Sequence, residues 1–152
     1  MRIAEALILR ADSQKRFEQL KSRISGNAKV QEGDEPAENP RDLIEEMERV
    51  AYELQSLIQR INRTNSATPY DDTRCLSDAL AERDVLMLRR GAYSDLAKAA
   101  SVTQARTSRS EVKFKSTVSV PETQERIDAL SKAYRLLDSG IQELNWKTDL
   151  VG

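Results

Sequence analysis

Two heptad repeats of apolar side chains constrain the fold of this chain more than any other feature of its sequence. One repeat spans residues 43–61 and the other spans residues 127–144. A heptad spacing places apolar side chains along one face of a helix, and that face is buried against another helix. The repeats therefore predict long helices that pack side by side. Their members are Leu43, Met47, Val50, Leu54, Leu57 and Ile61, and Ile127, Leu130, Tyr134, Leu137, Ile141 and Leu144.

Helix start and stop signals divide the 152 residues into four helices. The expected ranges are about 2–25, 39–62, 76–100 and 119–145. The second helix begins at Asn39 and Pro40, a capping residue followed by a proline, and the fourth begins with the capping-box pair Ser119 and Glu122. A chain of this length forms one ordinary domain. We therefore predict a mainly all-α fold, an antiparallel bundle of four long helices in a single domain over residues 1–152.

The apolar surface of the predicted helices exceeds what the core of such a bundle needs. The third helix carries two apolar stripes, and the second helix has an additional apolar edge beside its heptad repeat. Isologous pairing of two subunits would bury this surplus, so the pattern predicts a homo-oligomer. The stripes are Ala79, Leu86, Tyr93 and Ala100, and Ala81, Val85, Leu88, Ala92 and Ala99; the edge is Ile44, Ala51 and Ile58.

One segment departs from the helical pattern. Between residues 112 and 118, apolar and polar side chains alternate, and a period of two is typical of a β-strand with one solvent-exposed face,. Because a lone strand leaves its backbone unpaired, this short β segment would pair with residues 28–30, pair with the same segment of another subunit, or lie across the end of the bundle. Phe114 falls on the apolar side of the alternation, which favours a position in the core.

The absence of histidine and the single cysteine argue against most enzyme chemistry. Histidine is the commonest general base and a frequent metal ligand, and nucleophilic serine or cysteine usually has it as a partner. Glu45 and Glu48 share a helix face, but a magnesium site like that of the MazG-like nucleotide pyrophosphatases needs a second acidic pair on the next helix. No such pair has the right spacing. We predict no catalytic residue, no metal site and no cofactor. Cys75 has no partner for an internal disulfide, which indicates a reducing cytoplasm.

The connection before the fourth helix is rich in basic residues. It could hold phosphate or RNA, with Phe114 as a stacking side chain. The net charge of −1 argues against a nucleic-acid partner,. The same connection could instead pair with the acidic loop over residues 26–39 or remain solvated. The basic residues are Arg106, Arg109, Lys113 and Lys115.

A second polar group lies at the end of the second helix and in the turn that follows it. We place these residues at the end of the bundle opposite the basic connection. They could bind an anion, or they could cap the helix and turn the chain. The group consists of Asn62, Arg63, Asn65 and Arg74.

Six blocks of the sequence occur in the order AEALILRADSQKR, VQEGDEPAE, INRTN, LSDALAERDVL, SRSEVKFKSTV and IQELNW. In this order they resemble a bacterial family of small helical proteins of unknown function, some of whose members are labelled septicolysin-like. The resemblance covers nearly the whole chain. It implies an all-helical cytoplasmic protein and supplies no catalytic residues. The septicolysin label would imply a pore-forming toxin, but the sequence shows no export signal and no apolar run long enough to span a bilayer.

These residues favour a non-enzymatic helical module for oligomerisation or interaction. The alternative is a phosphate- or RNA-binding protein that uses the basic segment 106–115, and pore formation is a third hypothesis. We expect a cytoplasmic protein that has a second copy of itself as partner and does not associate with a membrane.

Overall fold

A computed structural model describes residues 1–101 and 113–152 of the chain. These residues form four α-helices, α1 (Ile3–Gly26), α2 (Pro40–Ala67), α3 (Leu76–Ala100) and α4 (Val120–Lys147). Helix α1 packs antiparallel against α2, and α3 packs antiparallel against α4. The predicted all-α fold of long antiparallel helices is confirmed. The predicted ranges agree with the structure to within two residues, except that α2 continues to Ala67 instead of ending near residue 62.

The described residues form two compact units. The first unit contains Met1–Pro69 and Gln142–Gly152, and the second contains Tyr70–Ile141. Helices α1 and α2 therefore belong to the first unit and α3 belongs to the second, while α4 contributes to both. The assignment of residues 1–152 to a single domain stays a prediction.

Local capping signals set the starts of α2 and α4. The side-chain oxygen of Asn39 accepts a hydrogen bond from the backbone N–H of Arg41 at 3.0 Å, and Pro40 is the first residue of α2. The hydroxyl of Ser119 accepts a hydrogen bond from the backbone N–H of Glu122 at 3.2 Å. Both bonds satisfy N–H groups that the first turn of a helix leaves unpaired. The starts predicted at Asn39 and Ser119 are confirmed.

Two clusters of buried apolar side chains hold α1 against α2. One joins the end of α1 to the start of α2, and the other joins the start of α1 to the end of α2. The heptad repeat of α2 supplies one side of both clusters, as its spacing predicts. The first cluster contains Leu20, Leu43 and Val50, and the second contains Ala6, Leu57, Ile61 and Leu150.

The two ends of the chain pair with each other in the first unit. The backbone N–H of Leu150 donates to the carbonyl oxygen of Met1 at 2.8 Å. Arg2 and Asp149 form an isolated antiparallel β-bridge, and their side chains form an ion pair at 3.0 Å. The C-terminal segment is thereby fixed beside the start of α1.

The β segment predicted near residues 112–118 is wrong for the part that the structure describes. Residues 113–116 have no regular secondary structure, and residues 117–118 form a bend. The hydroxyl of Ser116 accepts a hydrogen bond from the backbone N–H of Val118 at 3.3 Å, and a local bond of this kind turns the chain where a strand would extend it,. Phe114 is 81% exposed, so its predicted core position is also wrong. Residue 112 lies outside the described residues.

Candidate interaction surface

The two apolar stripes of α3 differ in their burial. Every residue of the first stripe is buried or partly buried, and every residue of the second stripe is exposed. Val85 is 51% exposed and Leu88 is 72% exposed. Helix α3 therefore buries one apolar face and presents another to solvent. We name Ala79, Leu86, Tyr93 and Ala100 the inner stripe, and Ala81, Val85, Leu88, Ala92 and Ala99 the outer stripe.

An ion pair connects α3 to α4 on the side away from the outer stripe. Nη1 of Arg83 lies 2.8 Å from Oδ1 of Asp138, and both side chains are less than a third exposed. Arg83 lies in the first half of α3 and Asp138 lies in the second half of α4, as antiparallel packing requires. This contact leaves the outer stripe free of α4 at the level of Arg83.

Charged side chains flank the outer stripe, and one of them, Asp95, interrupts its apolar run before Ala99. Asp84, Arg89, Asp95 and Lys98 are all exposed. Within residues 1–101 and 113–152, none of the four takes part in an ion pair. The outer stripe is therefore an apolar row bordered by charges that form no ion pair with the described part of the chain.

The additional apolar edge of α2 is mostly covered. Ala51 and Ile58 are partly buried, and Ile44 is 43% exposed. The apolar surplus predicted for this helix is therefore smaller than its sequence suggests. On α3, by contrast, all five residues of the outer stripe are exposed, as the predicted apolar surplus requires.

An open cleft of about 390 Å³ lies at the C-terminal end of α3. Leu96 and Ala99 line one wall with the last residues of the helix, and residues 114–118 line the other. Ala99 belongs to both the cleft and the outer stripe. The cleft therefore extends the exposed apolar surface of the second unit beyond the end of the stripe.

The structure describes two of the four basic residues that the sequence singled out before α4. Lys113 and Lys115 are exposed and flank the exposed ring of Phe114. Arg106 and Arg109 lie outside the described residues. The described part of this basic segment thus combines two ammonium groups with an aromatic ring.

The polar residues predicted at the end of the second helix lie inside α2, because the helix continues to Ala67. Asn62 and Arg63 are exposed. The side-chain oxygen of Asn65 is buried and has no hydrogen-bond partner within the described residues. These residues therefore do not cap α2, whose last turns they form.

Arg74 belongs to the second unit and lies in the turn before α3. Its Nη2 donates to Oδ2 of Asp71 at 2.7 Å, and its guanidinium also pairs with Glu82. The guanidinium carbon lies 4.9 Å from the centre of the Tyr70 ring, within the range of a cation–π interaction,. The two carboxylates raise the pKa of Arg74 above its usual value. An anion that bound here would have to compete with Asp71 and Glu82.

Comparison with known proteins identifies the family. Residues 10–150 match the model of a family of unknown function (DUF6847). The chain belongs to this family. It is also similar to the crystal structure of a functionally unknown conserved protein from Corynebacterium diphtheriae, with 44% sequence identity, 99% of each chain covered and a TM-score of 0.94. No curated protein matches the chain.

The DUF6847 match agrees with the resemblance to small helical bacterial proteins of unknown function. In the part of this family member that the structure describes, no three His, Cys, Asp or Glu side chains are grouped so that they could hold a metal ion. Glu45 and Glu48 lie exposed on α2. No helix among the described residues combines the length and the apolar character that crossing a membrane requires.

Proposed function

We propose that the protein is a non-enzymatic helical module that associates with a second copy of itself through the outer stripe of α3. The observation that supports this proposal is the exposure of the whole stripe on a helix whose inner stripe is already packed. The stripe runs from Ala81 to Ala99, which is about 27 Å of helix at a rise of 1.5 Å per residue. Single exposed apolar residues are ordinary on a protein surface, whereas a contiguous apolar patch marks an interaction site.

Burial of Val85 and Leu88 would supply much of the driving force. Removing a valine or leucine side chain fully from water contributes about 1.5–3 kcal/mol. In a symmetric dimer each residue is buried twice, once on each copy. The stripe and its four flanking charges comprise nine residues per copy, against about 20–30 for an interface of standard size. We therefore expect a dimer of modest affinity, with a dissociation constant in the micromolar range.

Light scattering coupled to size exclusion tests this proposal. We expect the measured mass to rise from one chain toward two as the protein concentration increases from about 5 to about 500 μM, a range that brackets a micromolar dissociation constant. The ratio of absorbance at 260 and 280 nm in the same peak reports bound nucleic acid. A mass of one chain over the whole range would contradict the proposal.

A matched pair of variants locates the interface. Leu88→Glu places a charge in the middle of the outer stripe and should keep the protein monomeric. Leu136→Glu is the control, because Leu136 is 67% exposed on α4. It lies two residues from Asp138, which contacts α3, and residues two apart on a helix do not share a face. Association that Leu88→Glu leaves unchanged would place the interface outside the outer stripe.

Binding of single-stranded RNA is a second candidate function. It is favoured by Phe114, which is 81% exposed and lies between the exposed Lys113 and Lys115 in the sequence. Stacking of a base on an aromatic side chain contributes about 1–3 kcal/mol, and lysines neutralise the phosphates of the backbone. No observation on the described residues favours the third hypothesis, pore formation.

Fluorescence anisotropy with a labelled oligouridine at low salt tests the second candidate. Phe114→Ala should weaken binding about tenfold, which corresponds to about 1.4 kcal/mol of lost stacking. Lys113→Ala should reduce the dependence of affinity on salt concentration. Lys132→Ala removes an exposed lysine from α4 and serves as the control. Affinity that does not respond to Phe114→Ala would exclude this function for the segment.

A further inference from the structure

We propose that two copies of the protein pair through α3 in antiparallel orientation, about a two-fold axis at the level of Arg90. This inference rests on the proposed self-association and specifies its geometry. It follows from the spacing of the outer stripe and from the exposed charges that border it.

The outer stripe is symmetric about residue 90. Ala81 and Ala99 lie nine residues to either side of this position, and Leu88 and Ala92 lie two residues to either side. The steps of four and three residues along the stripe are those of the two apolar positions of a heptad repeat. In an antiparallel pair, each residue faces the one at the same distance on the other side of the axis. Leu88 therefore faces Ala92 of the second copy, and Ala81 faces Ala99.

The facing side chains complement one another in size. The large side chain of Leu88 meets the small side chain of Ala92, and the two-fold axis repeats this pair. In a parallel pair Leu88 would face Leu88 and Ala92 would face Ala92. Such layers alternate between crowded and loosely filled, so the antiparallel pair packs the seam more evenly.

Asp95 favours the antiparallel orientation on electrostatic grounds. It occupies the heptad position between Ala92 and Ala99, and it is exposed. A parallel pair would bring the two Asp95 carboxylates together in the seam, where like charges strongly oppose association. An antiparallel pair places Asp95 opposite Val85 and separates the two carboxylates by ten residues, about 15 Å along the helix.

Asp84 and Lys98 are complementary across the same axis. Both are exposed on one flank of the outer stripe, six residues before and eight residues after Arg90. Antiparallel helices bring equivalent flanks together, so Asp84 lies beside Lys98 of the second copy, twice by symmetry. Asp95 also comes near Asp84 of the second copy, and the two carboxylates repel each other. Lys98 lies three residues after Asp95 on the same helix, so its positive charge reduces this repulsion.

The opposite flank distinguishes the two orientations. Arg89 lies next to the axis, so an antiparallel pair brings the two Arg89 side chains together and weakens the dimer. In a parallel heptad pair, Arg89 would instead lie beside Asp84 of the second copy. The attraction between these opposite charges would strengthen the dimer. We expect Arg89→Gln to tighten the dimer by about two- to fivefold, the range expected for one exposed charge contact.

Cysteine cross-linking reads the orientation directly. Cys75 is first replaced by serine, which preserves a capping side chain before α3,. Ala81→Cys and Ala99→Cys are then prepared separately in this background, given tags of different mass, mixed and mildly oxidised. A disulfide needs its two Cα atoms within about 7 Å, so it forms only between facing positions. We expect the 81–99 heterodimer in at least tenfold excess over either homodimer.

Other results would contradict either the antiparallel geometry alone or self-association as a whole. Homodimers of both single variants would establish parallel pairing and overturn this inference while leaving self-association intact. A sample that light scattering shows to be dimeric, but that gives no cross-link, would overturn it in the same way. A monomer at every concentration would overturn the proposed function as well. A dimer weakened by Arg89→Gln would contradict the antiparallel geometry independently of the cross-links.

Discussion

The backbone N–H of Val151 donates a hydrogen bond to the hydroxyl of Thr64 at 3.0 Å. The same hydroxyl donates to the carbonyl oxygen of Arg60 at 2.7 Å, and Nε of Arg60 donates to the carbonyl oxygen of Val151 at 2.9 Å. Thr64 is only 1% exposed. Two side chains of α2 therefore satisfy both backbone groups of Val151 and hold the C-terminal segment in the first unit.

Thr64→Val should destabilise the protein by about 1–3 kcal/mol, because valine keeps the shape of threonine but leaves the N–H of Val151 without its acceptor. Urea denaturation measures the loss. Thr68→Val is the control, since the hydroxyl of Thr68, the residue after α2, donates to the carbonyl oxygen of Thr64 in the last turn of that helix. If Thr68→Val cost as much as Thr64→Val, the bond to Val151 would have no special importance.

Leu150→Ala should cost about 2–4 kcal/mol of stability. Leu150 is 8% exposed and packs with Ala6, Leu57 and Ile61, so truncation removes buried apolar surface and leaves a cavity,. Leu136→Ala makes the same chemical change at a side chain that is 67% exposed, and it should be close to neutral,. Thermal and urea unfolding of the two variants give the comparison. Similar losses in both would contradict the role of Leu150 in the core.

Gly140→Ala tests the packing of Tyr70 against α4. A Cβ atom at residue 140 would lie 3.0 Å from Cε2 and Cζ of Tyr70, so the ring would have to move. Gly91→Ala is the matched control, because a Cβ there meets nothing within 4 Å. We expect Gly91→Ala to stabilise the protein by about 0.5–1 kcal/mol through helix propensity.

The free energy of unfolding of Gly140→Ala should be about 1–3 kcal/mol lower than that of Gly91→Ala, because overpacking usually has a cost of this size. Adding Tyr70→Ala to both glycine variants should abolish the difference between them. Equal gains from the two glycine variants in the presence of Tyr70 would mean that the ring makes no close contact with Gly140.

Asp71 gives the turn before α3 a dependence on pH. Its hydrogen bond with Arg74, aided by the backbone N–H of Thr73, holds the pKa of the Asp71 carboxyl well below its usual value. A carboxyl whose pKa is lower in the folded state stabilises the protein above the unfolded pKa, near 3.9 for aspartate. That contribution is lost as the pH falls from about 4 through the lowered pKa of the folded state.

Asp71→Asn should therefore lower the melting temperature at neutral pH, and the gap from the unsubstituted protein should narrow below about pH 4. Thermal denaturation across this range is the measurement. Asp72→Asn, at the neighbouring exposed position, removes the same charge and should have a smaller effect. A gap for Asp71→Asn that stays constant down to about pH 2 would rule out the proposed role of its ionised carboxylate.

The sequence predicted those features of the fold that depend on residues close to one another along the chain. The caps at Asn39 and Ser119 and the heptad repeat of α2 act within a few residues, so their sequence determines where helices start and which face is buried. The end of α2 was less predictable. Thr64 is held in the last turns of the helix by a contact with Val151, and that residue lies far along the chain.

The short alternating segment shows where local pattern fails. A period of two indicates a strand only if a neighbouring strand satisfies its backbone. Among the described residues no strand is present, and Ser116 bonds to the backbone of Val118 instead. Phe114, assigned to the core by its place in the alternation, is therefore exposed and becomes a candidate binding side chain.

The sequence by itself determined that this protein consists of long helices, where most of them begin and end, and that α3 has two apolar faces. It did not determine which of those faces would be buried, because periodicity describes a helix relative to its own axis and contains no reference to its neighbours. Only the tertiary structure decided that. Packing in the second unit buries Leu86 on the inner stripe and leaves Leu88 exposed, two residues further along the same helix.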